Sequence, residues 1–246
     1  MESVFTQKEP GTIQRLFARI AHRYDLANTL LSVGCDALWR ANVAARVRRW
    51  TPVDILDLAT GSGVLAQEIK RQIPGARIVG ADFCEPMLAL ARQRGIKDLV
   101  VADGLALPFQ ESRFDVVTIA FGLRNMASYE IALSEVARVL RPGGHLVILD
   151  FSLPKQPLRP LYRFYLHQIL PVLAGWVTGE PEAYRYFGGT IEDFPKGKAM
   201  LELLGRCGFV NCDARALTMG IVSVYTGQKR FSAEGANGPK PGRRLP

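Results

Sequence analysis

Five short apolar runs recur along the chain: "VDILDLA" (53–59), "ARIVGAD" (76–82), "DLVVAD" (98–103), "FDVVTIAF" (114–121) and "GGHLVILDF" (143–151). Their length and their Val and Ile content predict strands, and the segments between them repeat apolar residues at helical spacing. The helix after the first strand reads "GVLAQEIKRQI"; the next, "CEPMLALARQRG", carries Pro86 near its start and Gly95 at its end, where start and stop signals belong. A helix "SYEIALSEVARVL" (128–140) stops at "RPGG", which launches the fifth strand. Strand and helix in alternation predict an α/β fold, a parallel sheet with helices on both faces. Residues 11–50 form a helical start, 155–205 a long helical insertion, and 208–229 two β-rich runs around Met219-Gly220 that predict a closing antiparallel hairpin. The sheet therefore has seven strands, mostly parallel.

Composition narrows the setting. With 246 residues, 48% of them hydrophobic, the chain supports one well-packed core rather than two full domains. Cys35, Cys84, Cys207 and Cys212 are scattered without CxxC spacing, and "MESVFTQKEPGT" lacks a signal-peptide pattern, so a reducing cytoplasm is expected. The most apolar stretch, "FYLHQILPVLAGWV" (164–177), is interrupted by His167 and Pro171 and is too short to span a bilayer. The net charge is +8, and the Gly/Pro-rich segment 230–246, with Arg230, Lys240, Arg243 and Arg244 against Glu234, reads as a disordered basic tail. Four arginines in "RANVAARVRRW" (40–50) make a basic face that suits an anionic partner or an ordinary solvated helix surface.

The first strand ends in "DLATGSG" (57–63), an acid followed by a glycine turn. In doubly wound sheets, ligands lie beyond the carboxyl ends of strands where the strand order reverses. Gly61 and Gly63 let backbone approach a ligand because no Cβ obstructs it. "GSGVLA" fits the GxGxxG/A dinucleotide fingerprint, and Asp82 ends the second strand, where an acid binds ribose hydroxyls. That fingerprint is shared with NAD enzymes and with plain packing turns. Asp57 is the discriminating residue: a carboxylate is a poor neighbour for a pyrophosphate and a good one for a cation. Asp103, in "ADGLALPF" (102–109), reaches the same rim and can accept from an adenine amino group. Three acids at three successive strand ends favour S-adenosylmethionine over NAD.

The segments "YDLANTLLSVGCDALWR" (24–40), "DLATGSG", "ADGLALPF", "FGLRN" (121–125), "RVLRPGGHLVILDFSLP" (138–154) and "YRYF" (184–187) resemble the ubiquinone/menaquinone biosynthesis C-methyltransferase family. The likeness runs from about residue 13 to about residue 229. It implies a class I Rossmann-like methyltransferase fold, with residues 1–50 as a helical lid and 51–229 as the methyltransferase domain. It also implies S-adenosylmethionine-dependent methylation of a ring carbon on a polyprenylated benzoquinol or naphthoquinol. Such a reaction needs orientation, exclusion of water and stabilisation of a phenolate-like oxygen, and no metal.

Carried onto this chain, the family's cofactor positions fall on Ser62, Asp82, Asp103 and Gly104, which join Asp57, Gly61 and Gly63 of the strand-end turn, with Ala59 and Ala120 completing the expected cofactor site. Arg124 becomes the oxyanion stabiliser, since Arg is a poor proton acceptor, with Asn125 beside it and Tyr24 reaching the cofactor or quinol. Asn28, one helical turn from Tyr24, and Tyr184, Arg185 and Tyr186 are the substrate residues. Two departures stand out. The family usually carries a serine where this chain has Ala120, and commonly a His-Arg pair in the segment that here reads "GCDALWR", with Cys35 and Asp36. A missing neutral hydrogen bond costs about 1 kcal/mol, which weakens binding without abolishing catalysis and leaves substrate choice open.

The stretch 158–179 mixes Leu158, Leu161, Phe164, Tyr165 and Leu166 with Arg159 and Arg163, which suits an interfacial surface admitting a polyprenyl tail. The expected place is the cytoplasm, peripheral to the inner face of the cytoplasmic membrane, with a homodimer left open as an assembly. Other acceptors, a small lipid or another phenol, stay open, as does a non-catalytic cofactor binder. A base-flipping nucleic-acid methylase is disfavoured by the absence of an NPPY-type motif.

Overall fold

The computed structural model describes residues 34–179 and 181–231, together with Gly11, Ala18, Arg19, Asp25, Asn28, Thr29 and Ser32, and gives backbone alone at 177–178 and 181–186. Much of the segment read as an N-terminal lid, Tyr24 included, and the segment from 232 onward lie outside the described residues. Of the segment read as a tail, Arg230 donates its amide to the Gly208 carbonyl at 3.4 Å, and the exposed Phe231 ring lies against Gly143.

The sheet has seven strands: β1 (Asp54–Leu58), β2 (Arg77–Asp82), β3 (Asp98–Val101), β4 (Phe114–Ala120), β5 (Leu140–Phe151), β6 (Phe209–Leu217) and β7 (Val222–Lys229), in the order β3-β2-β1-β4-β5-β7-β6. The first five run parallel, and β7 pairs antiparallel with both β5 and β6. The α/β class, the strand number and the terminal hairpin all stand as the apolar pattern implied. β5 starts three residues earlier than that pattern suggests, because Leu140 pairs with Phe114 before a register shift.

The helices are α1 (Cys35–Arg48), α2 (Val64–Gln72), α3 (Glu85–Gln93), α4 (Tyr129–Val139), α5 (Leu158–Phe164), α6 (Leu170–Thr178), α7 (Pro181–Asp193) and α8 (Lys198–Arg206), with a π-helical turn, Tyr165–Ile169, joining α5 to α6. Helices α1, α2, α4 and α8 cover the sheet with apolar stripes, whereas the insertion around α6 and α7 buries a smaller cluster of its own, Leu166, Leu170, Ala174 and Ile191. Trp39, Val43, Ala44 and Val47 of α1 and Leu65, Ala66 and Ile69 of α2 pack on one face with Ile55, Ile78, Val116 and Val147. Leu133 and Val136 of α4 and Met200, Leu203 and Leu204 of α8 pack on the other with Leu56, Val117 and Ile148. Ser128 caps α4 by accepting from the Ile131 amide.

The strand order reverses between β1 and β4, which opens a crevice beyond their carboxyl ends. Both strands leave it through a non-glycine residue in the left-handed region, Ala59 (φ 54°) and Phe121 (φ 59°). Left-handed backbone at a side-chain-bearing residue costs roughly 1–3 kcal/mol and persists where surrounding structure imposes it. Here the two turns touch: a Cβ on Gly122 would come within 2.4 Å of the Ala59 Cβ.

Candidate functional site

Two cavities meet at this crevice. The first is lined by the strand-end residues Asp57, Ala59, Gly61, Ser62, Asp82, Asp103, Gly104, Ala120 and Asn125. Asp57 is buried and accepts hydrogen bonds from the Thr60 and Thr118 hydroxyls, each at 2.6 Å. Asp82 accepts from the Gly61 amide at 2.8 Å and the Cys84 amide at 2.9 Å, which pins the glycine turn to the end of β2. Burial pushes both carboxyls up to about 6. Asp103 stays exposed at the rim, with Oδ1 accepting from the Leu105 amide.

Two buried acids that form no salt bridge among the described residues favour a cation. The residues therefore fit a sulfonium bearing an ammonium group, with Asp82 and Asp103 free on their remaining lone pairs for hydroxyls and an amino group. Gly63 contributes differently from the other turn residues. It does not line the cavity; at φ +81° it starts α2, and a Cβ there would stand 2.9 Å from that of Ala91 on α3. It is a packing glycine that sets the turn.

Asp25 reaches the same cavity from the N-terminal segment. Ser62 Oγ donates to its Oδ1 and Arg94 Nη2 pairs with its Oδ2, both at 2.7 Å.

The second cavity, of about 360 Å³, is lined by rings from Trp39, Phe121, Phe151, Tyr162, Tyr165 and Phe187, with Asn28, Ser32, Asp36 and Arg40 as its polar edge. Its size lies within the range of small-molecule sites. Phe121 and Arg40 belong to both cavities, so a group held in one faces a group held in the other across a shared wall. Burial raises the Tyr162 and Tyr165 hydroxyls, so these rings stay neutral.

Arg124 and Asn125, adjacent in sequence, part company in space. Asn125 faces the first cavity and donates weakly to the Phe121 carbonyl at 3.4 Å. Arg124 lines neither cavity. It is fully buried, pairs with Asp150 at 2.7 Å, donates to the Phe121 carbonyl at 2.6 Å, and stacks on Phe187 (4.4 Å) and Phe151 (5.3 Å). Among the described residues, its Nε and Nη2, and Asp150 Oδ2, have no hydrogen-bond partner. Tyr184, Arg185 and Tyr186 fall on α7, the helix that supplies Phe187, and their side chains lie outside the described residues.

The residues that motif reading passed over are Arg40, Asp36, Asp150 and the aromatic wall. The wall comes from α1, the ends of β4 and β5, α5, the π-helical turn and α7. One signal was available: Trp39 and Arg40 follow Asp36 within "GCDALWR", at the spacing that places Asp36 and Arg40 on one helical face. Among the described residues there is no cluster of His, Cys, Asp and Glu suited to a metal ion.

Residues 4–229 match the model of the ubiE/COQ5 methyltransferase family. The chain is 46% identical over 220 residues to a demethylmenaquinone methyltransferase of Thermus thermophilus, covering 87% of this chain and 100% of that protein. It is 42% identical over 227 residues to a ubiquinone/menaquinone biosynthesis C-methyltransferase of Geobacter sulfurreducens, covering 88% of each. Among solved structures, a SAM-dependent methyltransferase of Thermotoga maritima, described as a possible histamine N-methyltransferase, superposes with a TM-score of 0.64 at 18% identity, covering 88% of this chain and 99% of that one. That likeness establishes the fold.

Proposed function

The chain belongs to the ubiE/COQ5 methyltransferase family, and from that premise we propose that it methylates a ring carbon of a polyprenylated quinol, demethylmenaquinol first among them. It is an S-adenosylmethionine-dependent methyltransferase, and the cofactor supplies an electrophilic methyl group. The observation that carries the substrate reading is the aromatic cavity sharing Phe121 and Arg40 with the cofactor crevice, a slot suited to a flat bicyclic ring. Asp57, Asp82 and Asp103 hold the cofactor's charge, ribose and base, with Ala59, Gly61, Ser62, Gly104 and Ala120 as the close walls. Asn125 steadies the methyl-donor side. Arg124, anchored by Asp150, acts from within the wall: it fixes Phe151 and Phe187, and its charge bears on the Tyr162 hydroxyl. Tyr24, Asn28, Tyr184, Arg185 and Tyr186 complete the quinol side.

The polyprenyl tail leaves toward α5 and α6. These helices and the π-turn between them turn Tyr162, Tyr165, Leu166 and Leu170 to the cavity. They leave Leu161 (68%), Phe164 (57%) and Trp176 (85%) exposed on the outside, beside Arg159 and Arg163. An exposed apolar ridge flanked by arginines suits the interface of an anionic bilayer, where a lipid substrate resides. Among the described residues no helix is long and apolar enough to cross a membrane.

The test is methyl transfer from labelled S-adenosylmethionine to reduced demethylmenaquinol and, separately, to a 2-polyprenyl-6-methoxy-benzoquinol, each in anionic liposomes. Transfer to the naphthoquinol at a clearly higher kcat/KM is the expected result. Transfer to neither, despite tight cofactor binding, would refute the substrate class.

A further inference from the structure

We propose that Asp36 is the proton acceptor for the quinol hydroxyl and that Arg40 is the cation that stabilises the resulting quinolate, a reading that rests on the quinol substrate proposed above. Both residues lie on α1, one helical turn apart, and both face the aromatic cavity. Arg40 also faces the cofactor crevice, its guanidinium lying 5.5 Å from the centre of the Phe121 ring that separates the two spaces. Its charge acts on Asp57 across that wall, helping to hold the Asp57 carboxyl down against the effect of burial. Arg40 therefore stands where the reacting carbon must meet the methyl donor.

The hydrogen bonding is that of a poised acid–base pair. Ser32 Oγ donates to Asp36 Oδ1 at 3.1 Å, and Arg40 Nη1 donates to Oδ2. Both residues are buried against the cavity. Each carboxylate oxygen keeps a second lone pair for an incoming hydroxyl. Among the described residues, Asp36 and Arg40 are the charged side chains on this cavity's lining; Arg124, by contrast, is committed to Asp150 inside the wall.

The step balances with these groups alone. Asp36 takes the hydroxyl proton, and the oxygen's electron pair, held by Arg40, enters the ring. The ring carbon beside it forms a bond to the methyl carbon as the sulfur–methyl bond breaks, and the sulfur keeps that pair as a neutral thioether. The ring carbon then loses its hydrogen to water, the ring regains aromaticity, and Asp36 returns its proton to the oxygen. One methyl is gained, one ring hydrogen is lost, and one proton reaches solvent.

The test compares wild type with Asp36→Asn, both in a Cys35→Ser background. Cys35 faces the same cavity, and serine there keeps a nucleophilic thiol away from the reactants in both proteins. Among the described residues, the remaining titratable groups on this cavity are Arg40, Tyr162 and Tyr165, and burial raises both tyrosines, leaving them protonated. With wild-type transfer to demethylmenaquinol in hand, Asp36→Asn should lower kcat at pH 7 by about 100-fold or more, with S-adenosylmethionine affinity within threefold. That loss should shrink about tenfold per pH unit toward pH 9.5, as the quinol ionises unaided and needs no acceptor. A kcat within threefold of wild type at pH 7, or a loss that stays constant from pH 7 to 9.5, would overturn the assignment. The double variant Asp36→Asn/Arg40→Gln leaves no unpaired buried charge and serves if the single variant does not fold; its rate should still rise with pH, but from a lower level, because the quinolate then lacks its cation. An inactive wild type would refute the quinol reading instead.

Discussion

At the scale of single residues, a buried charge is defined by its partner, and partners lie far apart in sequence. "FGLRN" announces Arg124, but its counter-ion Asp150 arrives 26 residues later on β5, and only the parallel pairing of β4 with β5 brings the two together. The expectation of a cavity-facing guanidinium came from the motif, whereas the structure puts that group behind Phe151 and Phe187. Removing one member of a fully buried pair strands the other, at a cost of roughly 3–5 kcal/mol. Arg124→Ala should therefore lose stability in urea denaturation by about that amount, alongside activity. An Arg124→Ala protein that is inactive yet as stable as wild type would place Arg124 in the chemistry rather than in the wall. The three strand-end acids were easier to read, because a strand's carboxyl end is fixed by local pattern, and all three line the first cavity at the β1/β4 crevice.

At the scale of elements, strands and sheet order were legible because β-rich runs and capping residues are local signals. Ser128 caps α4 and Pro86 lies in the first turn of α3, where the pattern put them. The insertion was legible as helical but not as a wall. Its α5, π-turn and α6 have apolar residues on more than one side, and sequence periodicity cannot say which side meets the sheet. The structure divides them: Leu166 and Leu170 face inward, Phe164 and Trp176 outward. If the outer side meets a bilayer, Phe164→Ser/Trp176→Ser should reduce sedimentation with anionic liposomes severalfold and raise KM for a long-chain quinol presented in them. Turnover of a short-chain quinol dissolved in water should change less than twofold. Equal losses on both substrates would show instead that the two side chains support the cavity.

At the scale of the whole molecule, the cofactor crevice is built at the expense of the apo protein's stability near neutral pH. Asp57 and Asp82 have folded-state values of about 6, above the ordinary carboxyl range of an unfolded chain. Between those limits the native state binds more protons than the unfolded state, so these two groups stabilise the protein fully below about pH 4, and that contribution is lost as pH rises through about 6. A cationic ligand reverses the preference. It binds the ionised pair, so its affinity grows as pH rises through the same window, and its stabilisation of the fold grows with it by mass action. Melting curves at pH 5.0 and 7.5, with and without saturating S-adenosylmethionine, should show a larger upward shift at 7.5. Asp57→Asn should remove much of that difference. The substitution keeps the shape, one threonine hydroxyl can turn to accept from the new amide, and a buried charge disappears. The variant should therefore melt higher than wild type without ligand at pH 7.5 and bind S-adenosylmethionine more weakly. The same ligand-induced shift at both pH values would mean that the acids are already paired in the free protein. The cavity's claim on a cation would then rest on shape alone, and Ala59, Gly61 and Gly122 at the β1/β4 crossing would carry the recognition.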